Sequence, residues 1–248
     1  MINNGTLSLI VNNITYEAEV KNATATVEIP NLNAGSYDAN ITYAGDSIYN
    51  SHTEIYSLII SKQDSTITGK DKSFIINYGG KYSITVKGLS GAKVIFRLNY
   101  RIIGSAITDK NGVASISLTS KMLKTAEAGK RNLKVTLDNK NYQAVKTFKI
   151  TINKEKTKIT AKAKSFKKSV KTKKYTIYLK NSKGKAVKKA KVSLKIKGKT
   201  YNAKTNSKGK ATFKIKKLTK KGKHSAKISF KENACYKSSS KKVKIRVK

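Results

Sequence analysis

Three stretches of the chain repeat one pattern at a fixed interval: "AGSYDANITYAGDSIY" (34–49), "AGKRNLKVTLDNKNY" (128–142) and "KGKHSAKISFKENACY" (221–236). Each opens on a glycine, Gly35, Gly129 or Gly222, spaced 94 and 93 residues apart. Each closes on a tyrosine, Tyr49, Tyr142 or Tyr236, spaced 93 and 94 apart. Copies of one unit fold alike and follow one another in tandem, so the fold of the chain reduces to that of a unit of about 93 residues. Between glycine and tyrosine stand matched apolar triplets: Ala39, Ile41, Tyr43; Leu133, Val135, Leu137; Ala226, Ile228, Phe230.

A second element repeats upstream. "TDKNGVASISL" (108–118) matches "TNSKGKATFKI" (205–215), each a polar turn with glycine before an alternating strand. The first copy offers "VKNATATVEI" (20–29), with a turn one residue shorter. Each copy ends on a further strand: Tyr56, Leu58, Ile60; Phe148, Ile150, Ile152; Val243, Ile245, Val247. All these segments alternate with period two, as half-buried antiparallel strands do. The best helical candidate, "LTSKMLKTAEAGK" (118–130), is too short to change the class. About seven strands per unit, with turn signals between them, predict an all-β fold of tandem immunoglobulin-like β-sandwich domains in an elongated array. The Cys–Trp–Cys core of antibody domains is absent, because the chain has no tryptophan.

The expected divisions are 1–62, a partial repeat equal to the C-terminal half of a unit; 63–153; and 154–248, a lysine-rich repeat. The opening segments "STITGKDKSFIINYGGKYSITVKG" (65–88) and "TKITAKAKSFKKSVKTKKYTIYLKN" (157–181) have no counterpart in the first copy. A half sandwich leaves one sheet face bare and one edge unpaired. The expectation is a longer repeat protein, whose N-terminal portion carries a signal peptide and more units. The alternative is that the half unit leans on the second unit.

Charge is graded along the chain. Residues 1–62 have two lysines and six acids, net −4; residues 63–153 have sixteen basic residues and five acids, net +11; residues 154–248 have thirty-six and two, net +34. A coding bias toward lysine would not leave two in the first 62 residues. Such a charge predicts polyanionic partners and strong salt dependence, and says nothing about fold.

In the last unit the lysines keep strand register. "KATFKIKKL" (210–218), "KKYTIYLK" (173–180), "KVSLKIKGK" (191–199) and "KKVKIRVK" (241–248) all alternate apolar with polar residues. A disordered tail has no reason to do so. A folded sheet does, since a slip of one residue would bury the ammonium groups. Solvent-face lysines such as Lys195, Lys197, Lys214, Lys216, Lys244 and Lys248 are the candidate polyanion contacts. Edge lysines that block aggregation explain some of them, but not a net +34 that costs stability through self-repulsion. Nucleic acid is the alternative polyanion. Only four arginines, Arg97, Arg101, Arg131 and Arg246, are present for base readout, and the aromatics mostly face inward. Lysine point charges suit diffuse attraction to a cell-wall or surface polysaccharide.

Four Asn-x-Thr sequons, at Asn4, Asn13, Asn22 and Asn40, all fall in the first 62 residues and are glycosylation candidates on an exported protein. Catalysis and cofactors find no support: no nucleophile elbow, phosphate loop or Cys/His metal spacing is present. His224 reads as a solvated residue on a strand edge, and Cys235 as a passive turn residue that has no disulfide partner. Asp109, Asn111 and Gly112 begin like a calcium loop but lack its further ligands, and read as a hairpin turn. No segment approaches the ~18 apolar residues of a membrane span.

The block "LNAGSYDANITYAGDSIYNS" (32–51), with "DKNGVASISL" (109–118) and "TNSKGKATFKI", resembles the Ig-like repeats of adhesin-like surface proteins of methanogenic archaea. The later units lose the Ala-Gly-Asp centre of that block, at Asp138-Asn139 and Glu232-Asn233. The resemblance covers essentially the whole chain. It implies extracellular stalk and adhesion modules without catalytic residues, with partners among proteins or glycans on other cells and a basic terminal unit at the wall.

Overall fold

The computed structural model describes residues 5–248. The first unit holds β1 (Thr6–Val11), β2 (Ile14–Glu19), β3 (Gly35–Tyr43) and β4 (His52–Ile60), one antiparallel sheet in the order β2-β1-β3-β4. The second holds β5 (Gln63–Asp64), β6 (Ile67–Thr68), β7 (Lys72–Ile75), β8 (Gly80–Val86), β9 (Lys93–Leu98), β10 (Arg101–Ile107), β11 (Val113–Leu118), α1 (Ser120–Ala126), β12 (Gly129–Asp138), β13 (Tyr142–Gln143) and β14 (Val145–Asn153). The third holds β15 (Thr157–Thr160), β16 (Lys164–Phe166), β17 (Thr172–Asn181), β18 (Lys191–Ile196), β19 (Lys199–Lys204), β20 (Lys210–Lys216), β21 (Gly222–Phe230) and β22 (Ser239–Val247).

The second unit packs the sheet β10-β9-β12-β14-β7 on the sheet β11-β8-β6. The third repeats this with β16-β22-β21-β18-β19 on β15-β17-β20. Each sandwich closes over its own core: Tyr82, Phe96, Leu133 and Ile150 in the second, Tyr175, Leu194, Phe213 and Ile228 in the third. These are the inward halves of the alternating runs, as period two requires. The three glycine-opened strands β3, β12 and β21 start at Gly35, Gly129 and Gly222. The one helix among the described residues falls in the segment of best helical pattern; Thr119 caps it by accepting from Met122 N–H, and Leu123 anchors it in the core.

The first unit departs from expectation at Val20–Ile29. Only an isolated bridge, Lys21 to Thr24, forms there, and no strand. Its counterparts β11 and β20 are strands because β8 and β17 pair with them. Among the described residues the first unit has no such partner, so the same alternation forms no strand there.

The repeated tyrosine follows a shared turn. Asp46 Oδ1 accepts from Ile48 and Tyr49 N–H, both at 2.7 Å. Asn139 accepts from Asn141 and Tyr142, and Asn233 from Cys235 and Tyr236. The later units have therefore lost the acid of the Ala-Gly-Asp centre but kept its turn. Tyr43 also donates to Asp46 at 2.6 Å, which holds the Asp46 carboxyl below its usual range and pushes the Tyr43 phenol up to about 12.

Two residues sit otherwise than the pattern suggested. His224 is buried, not solvated: β21 turns it inward opposite Ile245, with Nε2 2.7 Å from the Lys220 carbonyl. Lys173 occupies a core-facing position of β17, with its ammonium donating to the Val170 carbonyl at 2.7 Å. A long stem lets a lysine at a sheet end pack its methylenes and still reach an acceptor.

The second and third units are clasped by Glu155, which is 1% exposed. Its carboxylate accepts from Tyr78 Oη, from Asn77 Nδ2 at 2.9 Å and from Ser182 Oγ at 2.8 Å. Lys183 lies over the Tyr78 ring at 3.9 Å. Glu155→Ala would leave two half-buried donors of the second unit, Asn77 and Tyr78, without this acceptor, at about 1–3 kcal/mol. A double-mutant cycle with Tyr78→Phe should give a coupling of about 1 kcal/mol or more in thermal unfolding; additivity of the two changes would remove the clasp.

Candidate polyanion-binding face

The six lysines singled out from the sequence do not form one patch. Lys195 and Lys244 lie on the outer face of β16-β22-β21-β18-β19. Lys214 and Lys216 lie on the opposite sheet, across from Lys174 and Thr172. Lys197 is at the β18–β19 hairpin tip, and Lys248 follows β22 with its N–H on the Phe166 carbonyl.

The register of the larger sheet adds residues that the sequence did not single out. Lys195 stands opposite Lys227 on one side and Thr200 on the other, and Lys227 stands opposite Lys242. Three ammonium groups thus line up across adjacent strands that run ~4.8 Å apart. Along β22, Lys242, Lys244 and Arg246 share this face at about 7 Å intervals. Arg246 in turn stands between Lys223 and Ser165. Like charges placed directly opposite destabilise a sheet. The unit's two acids do not relieve them: Glu155 is held in the clasp, and Glu232 pairs with Lys154 at 3.1 Å. The second unit is milder at the same places. Arg97 and Lys134 stand opposite each other, but Thr147 replaces the third cation.

The corresponding hairpin tip differs from unit to unit. Asn12–Asn13, Asn99–Tyr100 and Lys197–Gly198 all have positive φ at both positions, the signature of a tight two-residue hairpin turn. The first presents the Asn13 sequon, the second a tyrosine that is 96% exposed, and the third a lysine. Asn22 is in an exposed turn as well. Asn40 is inside β3 between Ile10 and Ile55, and its Oδ1 is buried with no partner. Asn4 lies outside the described residues.

The Asp109 carboxylate accepts from Asn111 and Val113 N–H, both at 2.9 Å, and Asn206 does the same for Lys208 and Lys210. Both are turn-forming side chains. Cys235 packs half-buried against the core of the second unit. Among the described residues no group of three His, Cys, Asp or Glu side chains is placed to hold a metal ion, and no helix is long and apolar enough to cross a membrane.

No protein-family model matches the sequence, and no curated protein sequence matches it. Solved structures do share the fold. Titin domains A168–A170 align at a TM-score of 0.50 and 10% identity, covering 74% of this chain and 65% of that one. Titin domains I67–I69 align at 0.38 and 12%, covering 99% and 93%. A 1.5-MDa bacterial ice-binding adhesin aligns at 0.32 and 13%, covering 100% and 88%. The A168–A170 alignment agrees with the tandem Ig-like sandwiches seen here.

Proposed function

We propose that the protein is a non-enzymatic surface adhesin or stalk module whose third unit docks by charge on an anionic cell-wall or surface polymer, outside the cell. The observation that carries this reading is the row Lys195, Lys227, Lys242 on one sheet face, with no carboxylate paired beside it. A folded domain that accepts this repulsion gains from a polyanion that screens it. The acidic first unit, with its sequons, points away from the docked end. Each lysine acts as a point charge, so single substitutions change little.

The test is retention of the full chain on isolated wall material and on DNA across a salt series. Reversing the row (K195E with K227E and K242E) should weaken wall retention at least tenfold at 0.1 M salt. Reversing Lys174, Lys214 and Lys216 on the other sheet should cost clearly less. Sequence-selective DNA binding together with indifference to wall would sink the reading in favour of a nucleic-acid partner.

A further inference from the structure

The second and third units carry the same groove at one edge of the larger sheet, and the two copies differ in a telling way. In the second unit it is lined by Asp71, Ser73, Lys130, Lys149 and Thr151. In the third it is lined by Ala163, Ser165, Lys223, Lys244 and Arg246. The registers make the correspondence firm. Lys72 pairs with Ile150 as Lys164 pairs with Ile245, and Lys130 faces Thr151 as Lys223 faces Arg246. Position by position, Asp71 has become Ala163, Thr151 has become Arg246, Asn132 has become Ser225, and the serine and three lysines, Lys72/Lys164 among them, are kept.

In the second unit the Asp71 carboxylate lines the groove. Its Oδ1 accepts from the Lys149 backbone N–H at 2.8 Å, and the Lys149 ammonium bonds Asn132 Oδ1 at 2.8 Å. Asp71 is also close enough to help burial raise the Tyr82 phenol to about 12; its counterpart Tyr175 is raised by burial alone. In the third unit no acidic side chain lines the groove. Lys164 does not compensate: its ammonium turns to the other sheet, over the Phe166 ring at 5.0 Å and toward the Lys174 carbonyl at 3.3 Å. Lys72 does the same in the second unit. The third groove has thus lost its internal anion and gained a guanidinium, the side chain whose planar fork fits an oxyanion with two parallel hydrogen bonds.

We infer that the groove between β16, β22 and β21 binds a carboxylate group of an acidic polysaccharide, at the position where the Asp71 carboxylate lines the groove one unit earlier. Arg246 takes the carboxylate oxygens, Lys223 and Lys244 flank them, and the Ser165 hydroxyl donates from the edge strand. The polymer class is one whose sugars carry carboxylates, such as a polyuronate. This rests on the polyanion-docking reading above and adds a discrete site to it.

The two units supply the experiment. Ala163→Asp restores the internal carboxylate, and Arg246→Thr restores the residue of the second unit. Thr212→Asp, an exposed position of the opposite sheet, makes the same change in net charge as Ala163→Asp. Binding of the full chain to immobilised polygalacturonate, dextran sulfate and duplex DNA is measured at fixed salt, with thermal unfolding of each variant as the folding control. Ala163→Asp and Arg246→Thr should each weaken polygalacturonate binding about tenfold, the scale of a charge-assisted hydrogen-bonded pair, and Thr212→Asp less than twofold. Equal losses from Ala163→Asp and Thr212→Asp would overturn the site and leave diffuse docking standing. Equal losses on all three polymers from Ala163→Asp would overturn the carboxylate class. Failure of the unaltered chain to hold any of the polymers would overturn the docking reading itself.

Discussion

Phe213→Ala should leave the third unit unfolded in low salt and largely folded at 0.5 M salt. Phe213 is fully buried at the centre of the third core, on β20. Removing such a ring costs about 3–5 kcal/mol. A domain of this size starts with roughly 5–15 kcal/mol, and here self-repulsion of a net +34 has already been subtracted. Salt shortens the Debye length from about 10 Å at 0.1 M to roughly half that at 0.5 M, which removes much of the repulsion between lysines on one face. Phe96→Ala in the second unit deletes a ring that is equally buried, from a domain of net +11. It should destabilise similarly with far less dependence on salt. Hydrogen exchange of the full chain, followed segment by segment at both salt concentrations, separates the two. Equal salt responses in the two units would mean that the lysine face carries no appreciable strain.

The second large effect is expected in the first unit. Amides of β1 to β4 should exchange orders of magnitude faster than those of β12 and β21. Neither core cluster contains a described residue of this unit. Among its described residues only Val11, Val20, Ala39 and Tyr43 are buried hydrophobics, while Ile55 is 66% and Ile59 72% exposed. A single sheet with one face uncovered has little apolar burial to set against chain entropy, so it opens locally at low free energy. Among its described residues, hydrogen bonds to the second unit run from Ala34 N–H to Asn141 Oδ1, from Asn141 Nδ2 to Asn33 Oδ1, and from the Lys62 ammonium to the Asn139 carbonyl at 2.7 Å. Protection of β3 equal to that of β12 would show that something else covers the sheet.

What was legible in the sequence followed from period two. In the second and third units the glycine-opened strands, the closing strands and the strand lysines Lys195, Lys214, Lys216 and Lys244 lie where alternation puts them, because each strand has one dry and one wet face; the closing strand β4 of the first unit departs from this, with Tyr56 of its apolar triplet exposed. The misses have a common physical origin in pairing across long sequence separations. Val20–Ile29 alternates like β11 and β20, but a strand needs a neighbour. His224 looks solvated among its lysines until its register with Ile245 turns it inward. Lys227, Lys242 and Arg246 gain meaning only once β21 and β22 are laid beside β18 and β16. The parallel pairings of β7 with β14 and β16 with β22 join residues about 80 apart, so the groove at Ala163 and Arg246 could not be read along the chain.

The graded charge has a consequence that needs no contact. A net −4 at one end and +34 at the other give the molecule a large electric moment along its own sequence. In the field of an anionic surface such a body feels a torque before it feels a binding site, within about a Debye length. The third unit swings toward the surface and the first away from it. On the docking proposed above, orientation would be settled during approach, and capture would have only to hold what the field had already aligned.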